Sequence, residues 1–198
     1  MAVSGQKKLK KGKRYHIKLA VQIFILSFSL SILMSFASQT TLSKSSVIFA
    51  FFVLLVIIFI GVIFDIVGVA VATADPAPFH AMASKKNPKA ILALVMLKRA
   101  SLVATFSNDV IGDIAGIISG TAVAIIVFRM VSLGLVTQSS LFNVLLSSTA
   151  AGLTVGGKAI GKELAINHSK EIVYLVATVM YDIKYMASFK WLKKKHRG

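Results

Sequence analysis

The sequence predicts an all-α integral membrane protein of about four transmembrane helices, with amphipathic helices on the cytoplasmic face. Three observations predict it. Of 198 residues, 56% are hydrophobic and only 15% charged, and the mean hydropathy is +0.80. A soluble domain is nearer half apolar and a quarter charged. The apolar residues also come in four blocks instead of amphipathic periods. The net charge of +16, from 23 Lys and Arg against 7 Asp and Glu, lies outside those blocks, mostly at the two ends of the chain and between blocks two and three.

The blocks run from Leu19 to Ala37, Val47 to Ala74, Ser101 to Phe128 and Val131 to Val155. Each is long enough for a hydrocarbon core of ~30 Å, which takes roughly 20 helical residues. Blocks two and three exceed that length and are expected to tilt or to extend beyond the lipid. Pro76 and Pro78 end the second block and turn the chain. From Pro88 to Ala100, apolar Ile91, Leu92, Val95 and Met96 stand against Lys89, Lys98 and Arg99, the pattern of a short helix on the membrane surface. The stretch from Ser169 to Met186 carries Glu171, Asp182 and Lys184 within an apolar background. It reads as an amphipathic cytoplasmic helix, because a fifth span would put the basic tail outside. The first block, ending in Ser35-Phe36-Ala37, also has the outline of a signal peptide. Its long basic start and long apolar run favour an uncleaved helix.

Orientation follows from the basic residues, which concentrate on the cytoplasmic side. Counting Lys158 and everything after it as cytoplasmic, 21 of the 23 fall on one side of a four-span arrangement, and only Lys44 and Arg129 on the other. Both termini are therefore expected in the cytoplasm of a cell-membrane protein. The basic segments are read as topology determinants that meet anionic lipid headgroups. A nucleic-acid role is not expected, because Tyr15 and Trp191 are too few aromatics among the basic residues. With no Cys, there is no disulfide framework, thiolate metal site or Cys nucleophile. His16, His80, His168 and His196 lie outside the blocks, which speaks against zinc.

The acids carry the functional signal. Asp65, Asp109 and Asp113 lie inside apolar blocks, where each Asp at the centre of a span costs about 2.5–3.5 kcal/mol. Such residues normally face a partner, an ion or water. Asp109 and Asp113 are four apart and share a helix face, with Asn108 beside them as a neutral oxygen. Asp65 precedes the cytoplasmic turn by about ten residues, so antiparallel neighbours bring the two acidic patches to similar depth. Blocks two and three contain no Lys or Arg to pair with them, and Lys158 just past block four is the nearest. Carboxylates placed together repel unless a cation or a proton stands between them. Oxygen ligands without Cys suit a hard ion such as Mg²⁺ or Ca²⁺. Gly112, Gly116 and Gly120 form a small-residue stripe, Gly61, Asp65 and Gly68 a second, and Gly152/Gly156 and Gly157/Gly161 mark block four. Such stripes let helices approach closely and are expected to put the acids at a helix–helix seam.

Three stretches taken in order resemble the transmembrane domain of the CorC/cyclin M magnesium transporters, over residues 47–165. Asp65-Ile-Val-Gly-Val-Ala70 looks like that family's SGSETA-type motif. Ser107-Asn108-Asp109 looks like its GNN-type motif, and Gly156-Gly-Lys-Ala-Ile-Gly-Lys162 like its GE-x-x-PK-type motif. The Ser and Glu of the first motif are replaced, Asp109 stands for the second Asn, and the Glu and Pro of the third are absent. The resemblance implies a divalent-cation pocket between these helices on a homodimeric scaffold. Asn108 carries over directly, while Asp65 and Asp109 sit at matching positions with different chemistry.

The chain thus divides into a basic segment 1–18, an additional helix and outer loop 19–46, the domain 47–165, and an amphipathic helix with basic tail 166–198. The expected function is to bind and transport a divalent cation, Mg²⁺ above all, with Na⁺ as a coupling ion. The ligands would be Asp65, Asn108, Asp109 and Asp113, with Ser107 as an auxiliary. No enzyme is expected. The alternatives are a membrane scaffold whose Asp residues bind helices together, and an intramembrane aspartyl protease. Phe64-Asp65 and Gly112-Asp113 faintly resemble that protease's motifs, although Val110 stands where its GxGD motif has Gly.

Overall fold

A computed structural model of the chain describes the backbone of residues 2–42, 45–137 and 139–195, and the side chains of residues 17, 20–40, 45–137 and 140–185. Lys44, Tyr15, Trp191 and most of the two basic ends therefore lie outside the described side chains. The described chain is all α-helix. The helices are α1 (Ala2–Leu42), α2 (Val47–Thr73), α3 (Ala77–Ser84), α4 (Pro88–Leu97), α5 (Ala100–Ser132), α6 (Ser139–Asn167) and α7 (Ser169–Lys195). Among the described residues, three stretches are long and apolar enough to cross a membrane: Ala20–Thr40 in α1, Val47–Thr73 and Ala100–Ser132. The protein thus has the architecture of a multi-pass membrane protein.

The helix α2 is the hub. It packs along α5 on one side and α6 on the other, and α1 lies against α5. On α2, Gly61 faces Ala115 and Gly68 faces Asn108, so α2 and α5 are antiparallel. On the other flank Val62 faces Gly157 and Ile66 faces Gly161, so α2 and α6 run the same way. Three apolar clusters hold the bundle. One lies at the Ala50 end, where Leu54 and Ile58 meet Val123 and Ile126 of α5 and Ala150 of α6. A second joins Val110, Ile114 and Ile118 to Ile23 and Leu30 of α1. The third gathers the Val71 end of α2 with Phe79, Met96, Ala165 and Val173, and it docks α3, α4 and α7. Asn87 caps α4 by accepting from the backbone N–H of Lys89 (3.0 Å) and Ala90 (3.4 Å). Its amide also donates to the Tyr174 hydroxyl of α7 (3.2 Å).

Block four is displaced from its expected bounds. The expected span from Val131 to Val155 straddles a turn, and the helix there is Ser139–Asn167. The cause is a Schellman end to α5. Gly134 adopts φ +70°, its N–H donates to the Val131 carbonyl, and the Leu135 N–H donates back to Met130. Flanking Leu133, Leu135 and Val136 disguise that stop as part of an apolar run. Ser, Thr, Gly and Asn dilute α6, which is not among the three helices apolar enough to be recognised as a span. It nevertheless runs beside α2 from the Ala50 end, where Phe142 and Leu146 pack, to Ala165 at the other end. Two further differences are local. An unexpected helix, α3, follows Asp75, whose carboxylate accepts from the Ala77 N–H (2.9 Å). The helix after Pro88 stops at Leu97, and the chain turns through Lys98 and Arg99 into α5.

Candidate functional site

The site lies where α2, α5 and α6 meet. Asp65 is eight residues from the end of α2 and Lys158 nine from the end of α6. At 1.5 Å per residue these are distances of about 12 and 14 Å along the helices from their ends. The parallel packing of α2 and α6 therefore sets them side by side. The Lys158 ammonium stands 3.8 Å from Asp65 Oδ1 and 3.7 Å from Asp113 Oδ1. One cation thus bridges carboxylates from two helices. The Asp65 side chain is only 6% exposed and Lys158 21%, while Asp113 is 69% exposed. Lys158 is consequently held between α2 and α5 and is mostly buried. The two acids therefore have a basic partner, the same lysine that the sequence offers as the nearest candidate.

Glycines shape this seam. A β-carbon on Gly112 would come 3.4 Å from the Lys158 ammonium. A β-carbon on Gly61 would come 2.9 Å from that of Ala115, and one on Gly68 would overlap the Asn108 side-chain oxygen. The close approach that puts Asn108 on the α2 backbone therefore requires glycine at position 68. The backbone of α5 widens here into a π-helical turn at Phe106–Gly112, a form that often marks functional sites. That turn buries Ser107 and half-buries Asn108 against α2, while Asp109 is exposed.

Two buried oxygens in this region accept no hydrogen bond from the described protein: Asp65 Oδ2 and Asn108 Oδ1. Asp65 and Gly68 are three residues apart on one helix face, and Asn108 rests on Gly68. Both unsatisfied atoms therefore belong to the same α2–α5 seam. Leaving such atoms buried costs about 1–3 kcal/mol each, and more for a charged group.

Of the five expected ligands, the structure joins Asp65 and Asp113 through Lys158 and seats Ser107 and Asn108 in the seam. Asp109 forms no ion pair among the described residues. No group of three or more His, Cys, Asp or Glu among the described residues is placed to hold a metal ion. The expected stripe is also only partly a seam. Gly112 is packed, but β-carbons on Gly116 and Gly120 would meet nothing within 4 Å, and the same holds for Gly152 and Gly156. Comparison with known proteins adds no relative: no family model, no curated protein and no solved structure matches the chain.

Proposed function

We propose that the protein binds a small hard cation within the membrane and carries it across. In this reading α1, α2, α5 and α6 are four crossings with both ends in the cytoplasm. The full-height packing of α6 along α2 supports the fourth crossing. The observation that carries the cation reading is the pair of unsatisfied buried oxygens, Asp65 Oδ2 and Asn108 Oδ1. Both are acceptors, and a cation satisfies acceptor atoms that no protein donor reaches within hydrogen-bond distance. Asp65 is the inner ligand. Exposed Asp113 and Asp109 attract the ion toward Asp65 by their negative charge. Lys158 is the resident counter-charge of the ion-free state.

Charge balance refines the choice of ion. Two carboxylates and one ammonium leave a single negative charge, which suits Na⁺ or a proton while Lys158 is seated. Mg²⁺ keeps several waters and needs few protein ligands, and it gains full attraction from the two acids only when Lys158 withdraws. The Mg²⁺ pocket suggested by the CorC/cyclin M resemblance is therefore proposed for a state with the lysine displaced.

The bridge made by Lys158 also supports the scaffold alternative, in which the triad only ties three helices together. It gives less support to a protease, because an ammonium stands between the carboxylates that would have to share a proton. Thermal unfolding in detergent separates the first two. A ligand that binds only the folded state raises stability as RT ln(1 + [L]/Kd). Titration with Na⁺, Mg²⁺ or acid at fixed ionic strength is expected to stabilise the wild type but not Asp65→Asn. If none of these stabilises the wild type and Lys158→Met still weakens it, the triad is a tie and the cation reading fails.

A further inference from the structure

An apolar groove of about 780 Å³ opens between α2, α5 and α7, away from the Asp65 carboxylate. Of its twelve lining residues eleven are apolar, and Ser107 is the exception, so its occupant must be apolar too. Ile63 and Val67 form one wall, Leu102 and Val103 the second, and Val176 and Met180 the third. The groove reaches from the first turn of α5 to Ile63, ten residues inside the Thr73 end of α2. That height is about 15 Å at 1.5 Å per residue, half of the ~30 Å hydrocarbon core and hence one leaflet. The volume lies in the range of small-molecule pockets, roughly 300–1,000 Å³. Helix α7 docks on α4 and α2, so the groove separates it from α5.

Charge identifies the other half of the occupant. Lys98 and Arg99 are both exposed and form the corner between α4 and α5. They stand in sequence between Met96 and Leu102, two residues that line the groove. No acid occurs between Lys98 and Asp109. A leaflet-deep apolar slot beneath a pair of cations matches a lipid with an alkyl chain and an anionic head.

We infer that this groove is a specific site for an anionic glycerophospholipid, with one acyl chain between α5 and α7 and its phosphate on Lys98 and Arg99. The inference does not depend on the cation reading. The lipid completes the packing of α7 against the bundle, filling space that protein side chains leave open.

Native mass spectrometry of the detergent-purified full chain tests the site, with phosphatidylglycerol and phosphatidylcholine of identical chains as probes. The wild type is expected to retain one phosphatidylglycerol, and to prefer it over phosphatidylcholine by roughly tenfold, since cations near the headgroup select anionic lipid. The K98Q/R99Q double variant changes only exposed side chains. It is expected to keep lipid binding but lose the preference. Val103→Trp and Val176→Trp fill the groove from opposite walls and are expected to abolish retention of both lipids. Equal retention of the two lipids by the wild type overturns the inference, as does an unchanged preference in K98Q/R99Q. If a Trp variant keeps its lipid but converts a dimer to a monomer, the groove belongs to a second copy of the chain and the lipid site is wrong. Should both Trp variants misfold, the K98Q/R99Q comparison decides alone.

Discussion

The two ends of the α2–α5–α6 bundle are held by different physics. At the Ala50 end the three helices meet through Leu54, Ile58, Val123 and Ile126, with no charged side chain in the cluster. Toward the Thr73 end the same helices meet through Gly61, Asp65, Gly68, Asn108 and Lys158. In lipid, apolar packing gains little from the hydrophobic effect, because acyl tails are as apolar as leucine. The Ala50 end therefore relies on shape, and neighbouring side chains can adjust around a small change. The charged end relies on a few atoms that have no substitute in their surroundings. This contrast predicts steep mutational effects at the charged end and shallow ones at the other.

The largest effect is expected from Lys158→Met. It leaves the buried Asp65 carboxylate without a counter-charge, and breaking a buried pair from one side costs about 3–5 kcal/mol. Because Lys158 is itself one-fifth exposed, the expected loss lies near the lower figure. Unfolding in detergent measures it, and adding Asp65→Asn to the same chain is expected to recover most of it. If the double variant is as unstable as Lys158→Met, the two side chains are not coupled and the bridge is incidental.

Gly68→Ala comes next. Its β-carbon would overlap Asn108, and overpacking of this kind costs about 1–3 kcal/mol. Gly120→Ala serves as the control, since its β-carbon meets nothing, and a change within about 0.5 kcal/mol is expected there. Equal losses at both glycines would mean that an unseen neighbour, and not the Asn108 contact, sets the cost, because helix propensity alone favours Ala over Gly.

Leu54→Ala probes the apolar end. A soluble core loses 2–5 kcal/mol on such a change. Here the transfer part is largely absent in lipid, so on the order of 1 kcal/mol is expected. A loss as large as that of Lys158→Met would erase the contrast between the two ends.

The smallest stability effect is expected for Asp113→Asn, because that carboxylate is 69% exposed and exposed pairs are worth about 0.2–1 kcal/mol. Its consequence should show in ion capture. Radioactive-ion uptake into proteoliposomes is expected to fall while the unfolding temperature barely moves. The reverse outcome would make Asp113 a structural partner of Lys158 and remove it from the access route.

The apolar blocks and Pro76 made the cores of α1, α2 and α5 legible, because a membrane demands continuous apolar length. The in-span acids stood out for the same reason. The end of α5 did not, since its stop signal is a single glycine among apolar neighbours. Lys158 was legible as the nearest base, but its burial between two acids was not. Counting basic residues assigns a side to a loop and cannot recognise a lysine held inside a helix by two acids. The π-helical turn at Phe106–Gly112 has no residue signature in this sequence. Consequently, the separate fates of Asn108, which meets α2, and Asp109, which is exposed, were invisible to a reading based on ordinary helical periodicity.

The bridge also has a consequence in time. Synthesis runs from the N-terminus, so Asp65 and Asp113 leave the ribosome inside α2 and α5 well before Lys158 follows in α6. Until then the acids have no basic neighbour within their own helices. Arrival of α6 supplies the missing charge, and its Gly157 and Gly161 let it settle on Val62 and Ile66 of a helix already made. The last helix of the bundle is thus the one that locks the earlier two, and a chain interrupted before Lys158 would present its acids uncompensated to whatever surveys unfinished membrane proteins.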